Sequence, residues 1–490
     1  MKVLISYPPL SNQKGCPTLG QNRQFQYFKE PTYIYPVVPA QAATLLKKSG
    51  YEVIWNDCLA EGLGYNDFMG LIKQEKPDLI AFETKTPVIK QHWKIIDDLK
   101  KLRITHYEPR TVLFGDHVTA LPEESFENSR VDFVLTGGDY DFLLLNLCNK
   151  LSTVNCQLST EGMEAGIYYR DNGLIKNTGK FKLEHNLDSL PFIDRELTKW
   201  QSYAFKNGNY KKTPGTYIMS GRDCWWGKCS FCSWPGIFPA FRSRSPENVL
   251  DEIGQLINRY SVKEIMDDTG CFPVGDWLHK FCIGMIESGF NRKIYFDCNM
   301  RFGALKDEDF KLMKKANFRL LLFGLESANQ NTLDKINKNL NAESIIKDCR
   351  AATSAGLFPH ITIMFGFPWE DYNQAKKTLE FGKYLLRKGY AYTMQATVVI
   401  PYPGTALFEE CKQNGLLRSL DWDEYDMKKP IMSTPIKDED IMKLVQGMYG
   451  VSFHPEFIFR KLVSLRDADD FKYFFRALKK VAGHLLDFNK

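Results

Sequence analysis

The chain has 490 residues, 44% of them hydrophobic, and a formal net charge of +5. Such a length predicts two or three domains, and so small a charge gives no ground for nucleic-acid binding. No apolar run approaches the roughly 18–20 residues that span a bilayer. The N-terminal MKVLISYPPLSNQKG lacks a signal peptide's long apolar region, because VLISY runs into a proline turn. Twelve cysteines without a disulfide-framework spacing fit a reducing compartment. A cytoplasmic protein is expected.

Residues 1–155 alternate apolar strands with amphipathic helices. KVLISYPP, YEVIW, DLIAFET, TVLFGD and VDFVLTGG read as strands; PVVPAQAATLLKKSG, FMGLIKQEK and VIKQHWKIIDDLKKL read as helices. That alternation predicts an α/β, doubly wound, Rossmann-like sheet. Ligands sit beyond the carboxyl ends of such strands. The candidate binding loops are therefore Asp57 to Gly62, Gly115 to His117, and Thr136 to Asp139 with Gly137 and Gly138. Residues 156–213 are less regular and read as a linker, with an Asn-Gly hairpin in YYRDNGLIKN. Residues 214–405 resume the alternation with six strand–helix repeats, predicting a closed or partial β/α barrel with its chemistry at the carboxyl strand ends. The first helix there starts with Ser245 as N-cap and Pro246 at its first position. Residues 406–490 read as helical.

The strand TYIMS leads into CWWGKCSFCSWP. Four residues separate Cys224 from Cys229, and two separate Cys229 from Cys232. A structural zinc site wants four protein ligands, and the nearest histidines, His185 and His279, are far off in sequence. A disulfide is disfavoured by compartment and by the odd count. An iron–sulfur cluster held by thiolates fits better; three ligands leave one iron open and reactive.

The run resembles radical S-adenosylmethionine enzymes, where a three-cysteine loop after the first barrel strand binds a 4Fe-4S cluster. The family's usual first gap is three residues, so this loop carries one extra. The resemblance implies that S-adenosylmethionine chelates the open iron and is cleaved by one electron. The resulting 5′-deoxyadenosyl radical removes hydrogen from an unactivated carbon, with the cofactor carrying the hard chemistry. It also implies cofactor contacts at Phe231, at Asp267, Asp268 and Thr269 of IMDDTGCF, at Asn299 and Arg301 of DCNMRF, at Glu326 and Ser327 of LFGLESAN, and at Gly366 of FGFPWED. YPGT, Tyr402 to Thr405, matches a motif closing the sixth strand. An external one-electron donor of the flavodoxin or ferredoxin type is implied as partner.

The N-terminal third resembles the cobalamin-binding-domain subclass through DCLAEGL, GDHVTALPEE and VLTGGDYDFLL, with LDSLPFIDR as its inter-domain linker. Within that subclass the chain is similar to the anaerobic magnesium-protoporphyrin monomethyl ester cyclase and hopanoid cyclitol-ether synthase group. Leu59 stands where many such domains place a cobalt-ligating histidine, and His117 is the substitute to consider. The resemblance leaves cobalamin binding open. It implies rearrangement, cyclisation or oxidation of an apolar or lipid-like substrate, with cobalamin-dependent radical methylation as the alternative and a non-catalytic iron–sulfur or cobalamin module as a reading of another class.

Cys271 and Cys298 read as core thiols. Asp267 and Asp268 read as contacts to the substrate or to the S-adenosylmethionine ammonium rather than to a divalent metal. WPGIFPAF covers either a large apolar substrate or the cluster. The terminal FKYFFRALKKVAGHLLDF has helical spacing of apolar and basic residues, so it packs on its own barrel or lies on a membrane surface.

Overall fold

The computed structural model describes residues 1–10, 14–18, 27–29, 31–102, 107–153, 162–463, 465 and 468–487. Cys156 to Glu161, at the start of the expected linker, and Phe488, near the end of the expected last helix, lie outside them.

The first sheet runs in the order Glu52–Asp57, Lys2–Tyr7, Leu79–Thr84, Arg110–Gly115, Phe133–Leu135, all parallel. Every residue of Leu79–Thr84 is buried, as expected for a strand with both faces covered. The strand order reverses between Lys2–Tyr7 and Leu79–Thr84, which makes their carboxyl ends the topological switch point. The Asn-Gly hairpin, expected in the linker, instead extends this sheet: Ile167–Asp171 pairs antiparallel with Phe133–Leu135, and Leu174–Asn177 antiparallel with Ile167–Asp171. Its turn residues Asn172 and Gly173 take φ of 49° and 81°, and Ile167 and Tyr169 are buried. Burial of one face therefore binds the hairpin to the sheet.

The second sheet has six parallel strands in chain order: Gly215–Ile218, Glu264–Asp267, Tyr295–Met300, Phe318–Glu326, Phe358–Phe365 and Thr393–Val398. First and last do not pair, so it is a partial barrel. Ser245 caps Pro246–Tyr260, its Oγ accepting from the Asn248 N–H at 3.2 Å. Beyond it, Ala406–Gln413, Asp438–Tyr449, Pro455–Val463 and Ala468–Asp487 are helical.

The segment joining the sheets is pinned by Arg195, which is buried. Its guanidinium donates to Thr216 Oγ1 at 2.6 Å and to the Tyr217 carbonyl at 3.0 Å, and stacks over the Tyr35 ring at 4.4 Å. One side chain thus ties the opening strand of the second sheet to the chain around the first.

Candidate active site

The cysteine loop leaves the carboxyl end of Gly215–Ile218 and is bracketed by a short antiparallel bridge, Arg222 opposite Arg242. Both arginines reach into the first sheet's unit. Arg222 donates to Asp139 at 3.0 Å and to Asp141 at 3.0 and 2.6 Å. Arg242 donates to both oxygens of Asp139 at 2.8 and 2.6 Å. His185 Nδ1 lies 2.9 Å from Asp139 and its Nε2 3.0 Å from Glu164. The two ends of the loop are therefore held by one buried charge cluster at the start of helix Tyr140–Thr153.

Within the loop, the extra length is absorbed by its two tryptophans. Trp225 Nε1 donates to the Phe272 carbonyl at 3.1 Å, and Trp226 Nε1 to the Asn337 carbonyl at 2.9 Å. The Arg301 guanidinium lies 4.0 Å over the Trp226 ring. Gly227 makes the turn at φ of 58°, a conformation that favours glycine.

Cys224, Cys229 and Cys232 are half-buried and line one cavity of about 230 Å³. Phe231, Asn299, Arg301 and Glu326 share its wall, as the sequence implies, and so does Lys338, which sequence reasoning missed. Lys338 Nζ donates to Glu326 at 2.9 Å. Burial alone would lower the Lys338 ammonium, but Glu326 and the neighbouring thiols more than offset it, so its pKa is raised. The far wall comprises Thr362, Met364, Gln395, Val399, Ile400, Tyr402 and Met427.

A hydrogen bond from the Cys271 thiol, helped by the Gly227 and Trp226 N–H groups, brings the Cys224 thiol down to about 6 against the opposing effect of burial. Cys224 is thus biased toward the thiolate that binds metal. Burial moves Cys229 the other way. No group of three or more His, Cys, Asp or Glu is gathered tightly enough for a single metal ion among the described residues. The three thiols stand around the shared cavity. Cys271 is buried beside Cys224. The Cys271→Ala variant is expected to retain the iron content of the native chain within about twofold. Loss of the cluster on iron assay would make it a fourth ligand.

Other expected contacts face elsewhere. Asp267 accepts from the Ser220 N–H at 2.9 Å, from the Ser220 hydroxyl, and from the Thr269 N–H at 3.0 Å. Thr269 Oγ1 accepts from the Gly221 N–H at 2.9 Å. These two hold the loop's root, and Asp268 is buried off the cavity wall. The wall is reached by Gly270 and Cys271 instead. Ser327 is buried and donates to Glu370 at 2.7 Å, and Gly366 faces Ile441. Buried hydroxyls and carboxylates must find partners, and here the partners are framework groups.

In the first sheet's loops, Asp57 caps helix Cys58–Glu61 by accepting from the Leu59 and Ala60 N–H groups, and takes the Tyr203 hydroxyl at 2.6 Å. Burial pushes its carboxyl up to about 6. Gly62 ends that helix at φ of 72°. His117 is buried, with Nδ1 3.2 Å from Thr86 and Nε2 2.9 Å from Glu124. Both nitrogens are engaged by these side chains. Gly115 backs onto the Thr84 carbonyl. A Cβ on Gly138 would lie 1.8 Å from the Phe238 ring, and one on Gly137 2.4 Å from Phe181. Those glycines admit aromatic side chains, Phe238 coming from the WPGIFPAF loop, and not an open ligand edge. The open space is elsewhere: a cavity of about 930 Å³ at the switch point, lined by Leu10, Leu59, Gly62 and Gly64 among others.

Residues 218–382 match the model of the radical SAM superfamily. The chain carries a radical S-adenosylmethionine domain and is an enzyme of that superfamily. It is 26% identical over 464 residues to an uncharacterized methyltransferase of Pyrococcus horikoshii, covering 93% of this chain and 92% of that one. It is 25% identical to the anaerobic magnesium-protoporphyrin IX monomethyl ester cyclase of Cereibacter sphaeroides, covering 80% and 63%. Among solved structures, the cobalamin-dependent S-adenosylmethionine radical enzyme OxsB aligns with a TM-score of 0.70 at 15% identity, covering 99% and 72%. The radical S-adenosylmethionine methyltransferase TsrM from Kitasatospora setae aligns with a TM-score of 0.65 at 14% identity, covering 85% and 79%. These likenesses establish the fold.

Proposed function

We propose that this chain is a cobalamin-dependent radical S-adenosylmethionine methyltransferase acting at an unactivated carbon of an apolar substrate. The observation that carries the reading is the two-sided cavity. One side joins three thiols to Asn299, Arg301, Glu326 and Lys338; from Thr362 to Met427 its lining holds no carboxylate, histidine or lysine. The second side suits an apolar substrate and a reaction that asks for no protein base there.

The donor set fits a 4Fe-4S cluster held by Cys224, Cys229 and Cys232, with Phe231, Asn299, Arg301 and Glu326 against S-adenosylmethionine. When bound, these groups supply one-electron cleavage of the sulfonium and a hydrogen-abstracting nucleoside radical, and cobalamin supplies a methyl group. Lys338 and Arg301 offer cations to the methionine carboxylate, and Glu326 an anion to its ammonium. Leu322, Phe323 and Met364 exclude water beside them. The switch-point cavity would hold cobalamin against Leu59, Gly62 and Gly64, with Gln91, Lys94 and Asp98 as polar partners in its lining. The one-electron donor is of the flavodoxin or ferredoxin type.

The likeness to the cyclase favours a second reading, radical cyclisation or oxidation without methyl transfer. Product accounting after anaerobic reconstitution with cobalamin and cell extract separates the two. Methyl transfer is expected to form S-adenosylhomocysteine and 5′-deoxyadenosine in equal amounts. Deoxyadenosine without S-adenosylhomocysteine would sink the methyltransferase and leave the cyclase reading.

A further inference from the structure

We propose that the floor of the partial barrel, remote from the cysteines, is a docking surface for an anionic lipid bilayer. Lys263 and Lys293 stand just before Glu264–Asp267 and Tyr295–Met300, at the amino ends of parallel strands. The cysteine loop occupies the opposite, carboxyl ends. With Lys211, Lys212, Lys472 and Arg476 they line a groove of about 910 Å³ that also contains Phe471 and Phe475. Among the described residues, those six cations share the groove with one lining carboxylate, Asp469. A second, Asp470, is engaged by Lys211 at 2.6 Å.

The helix Ala468–Asp487 is already seated on the barrel by its other face. Tyr473 is buried, the Arg319 guanidinium lies 5.7 Å over its ring, and Arg476 donates to the Tyr210 carbonyl at 2.9 Å. Packing therefore turns Phe471 and Phe475, one helical turn apart, outward, 51% and 65% exposed. The helix Pro455–Val463 also presents exposed apolar side chains, Phe459, Leu462 and Val463, 68%, 50% and 67% exposed. Exposed apolar surface in such a groove marks an interaction site. Here it is bordered by lysines, the arrangement of an interfacial helix on anionic headgroups. Leucine and valine suit acyl chains, whereas single-stranded nucleic acid asks for aromatic stacking platforms. No described helix is long and apolar enough to cross a membrane, so the contact is with the surface. It stands apart from the radical chemistry and from the reading of the cavity.

The test is sedimentation of the full reconstituted chain with phosphatidylcholine vesicles, with and without phosphatidylglycerol. Binding to the anionic vesicles is expected, weakening as salt rises, and at least about tenfold weaker on phosphatidylcholine alone. Removing one groove lysine should weaken it about fivefold. Lys263→Glu with Lys293→Glu, both on barrel loops, should weaken it by more than about 25-fold. Phe471→Ser with Phe475→Ser should weaken it by a further independent route, roughly tenfold. Iron content of each variant reports that its barrel is intact. Native protein left in the supernatant, equal binding to neutral vesicles, or both double variants binding like the native chain would overturn the proposal. Retention of a short single-stranded RNA in place of vesicles would do the same.

Discussion

Replacing Cys224, Cys229 and Cys232 with alanine is expected to abolish iron loading and reduce S-adenosylmethionine cleavage to background. Each thiol lines the same cavity and is only half-buried, so its removal opens no deep core void and leaves the fold. Single changes should be nearly as severe as the triple change, because a cubane with two thiolates loses a ligand that water cannot replace in kind. Residues acting as one unit do not add. The measurements are iron and sulfide content of the anaerobically reconstituted protein, and 5′-deoxyadenosine by mass spectrometry. Native cleavage rates in the triple variant would rule out the assignment. The contrast with Cys271→Ala, in which the cluster should persist, separates ligands from the neighbouring thiol.

The second large effect is expected at Asp139. The Asp139→Asn variant keeps the shape but leaves Arg242 without its carboxylate and Arg222 with Asp141 alone. Breaking a buried ion pair by removing one partner costs about 3–5 kcal/mol. The urea midpoint should fall, and iron loading with it, since both ends of the cysteine loop lose their common anchor. A midpoint and iron content equal to the native protein's would show that the cluster of charges does not position the loop.

The same group of residues sets a pH dependence. Burial alone would raise the Asp139 carboxyl, but the His185 hydrogen bond and the two arginines hold it well below the usual carboxylate range. Its contribution to stability is therefore present above about pH 4 and is lost as pH falls through its lowered folded value. Burial works against protonated His185, yet Asp139 and Glu164 outweigh it and push it up to about 9. That contribution is complete below about pH 6.5 and disappears as pH rises through about 9. Urea resistance should decline across that upper interval. The His185→Gln variant should flatten the decline; an unchanged profile would remove His185 from the account.

Local pattern carried a great deal. Alternating apolar strands and amphipathic helices announce both parallel sheets, and the serine cap before Pro246 marks a helix start, because such signals act between neighbours in sequence. Asn172-Gly173 marks a hairpin for the same reason, although which sheet it joins depends on where Ile167 and Tyr169 find apolar surface. The three cysteines are legible by spacing alone. The rest of the cavity wall is not. Asp267, Thr269 and Ser327 carry the right chemistry near the right strand ends, yet in the fold their polar atoms are taken by Ser220, Gly221 and Glu370.

Lys338 comes twelve residues after Glu326 and meets it only because the helix Gln330–Lys335 folds the chain back. Met427 enters the cavity from a segment held to the first sheet's unit by Trp422, whose indole donates to Glu124 at 2.7 Å. The sequence by itself determined the elements, the thiol triplet and the absence of a histidine at Leu59, since all three are properties of residue order. Which side chains turn toward the cavity was decided only by tertiary structure, because a buried polar group goes where its partner is, and the partner is set by packing between segments distant in the chain.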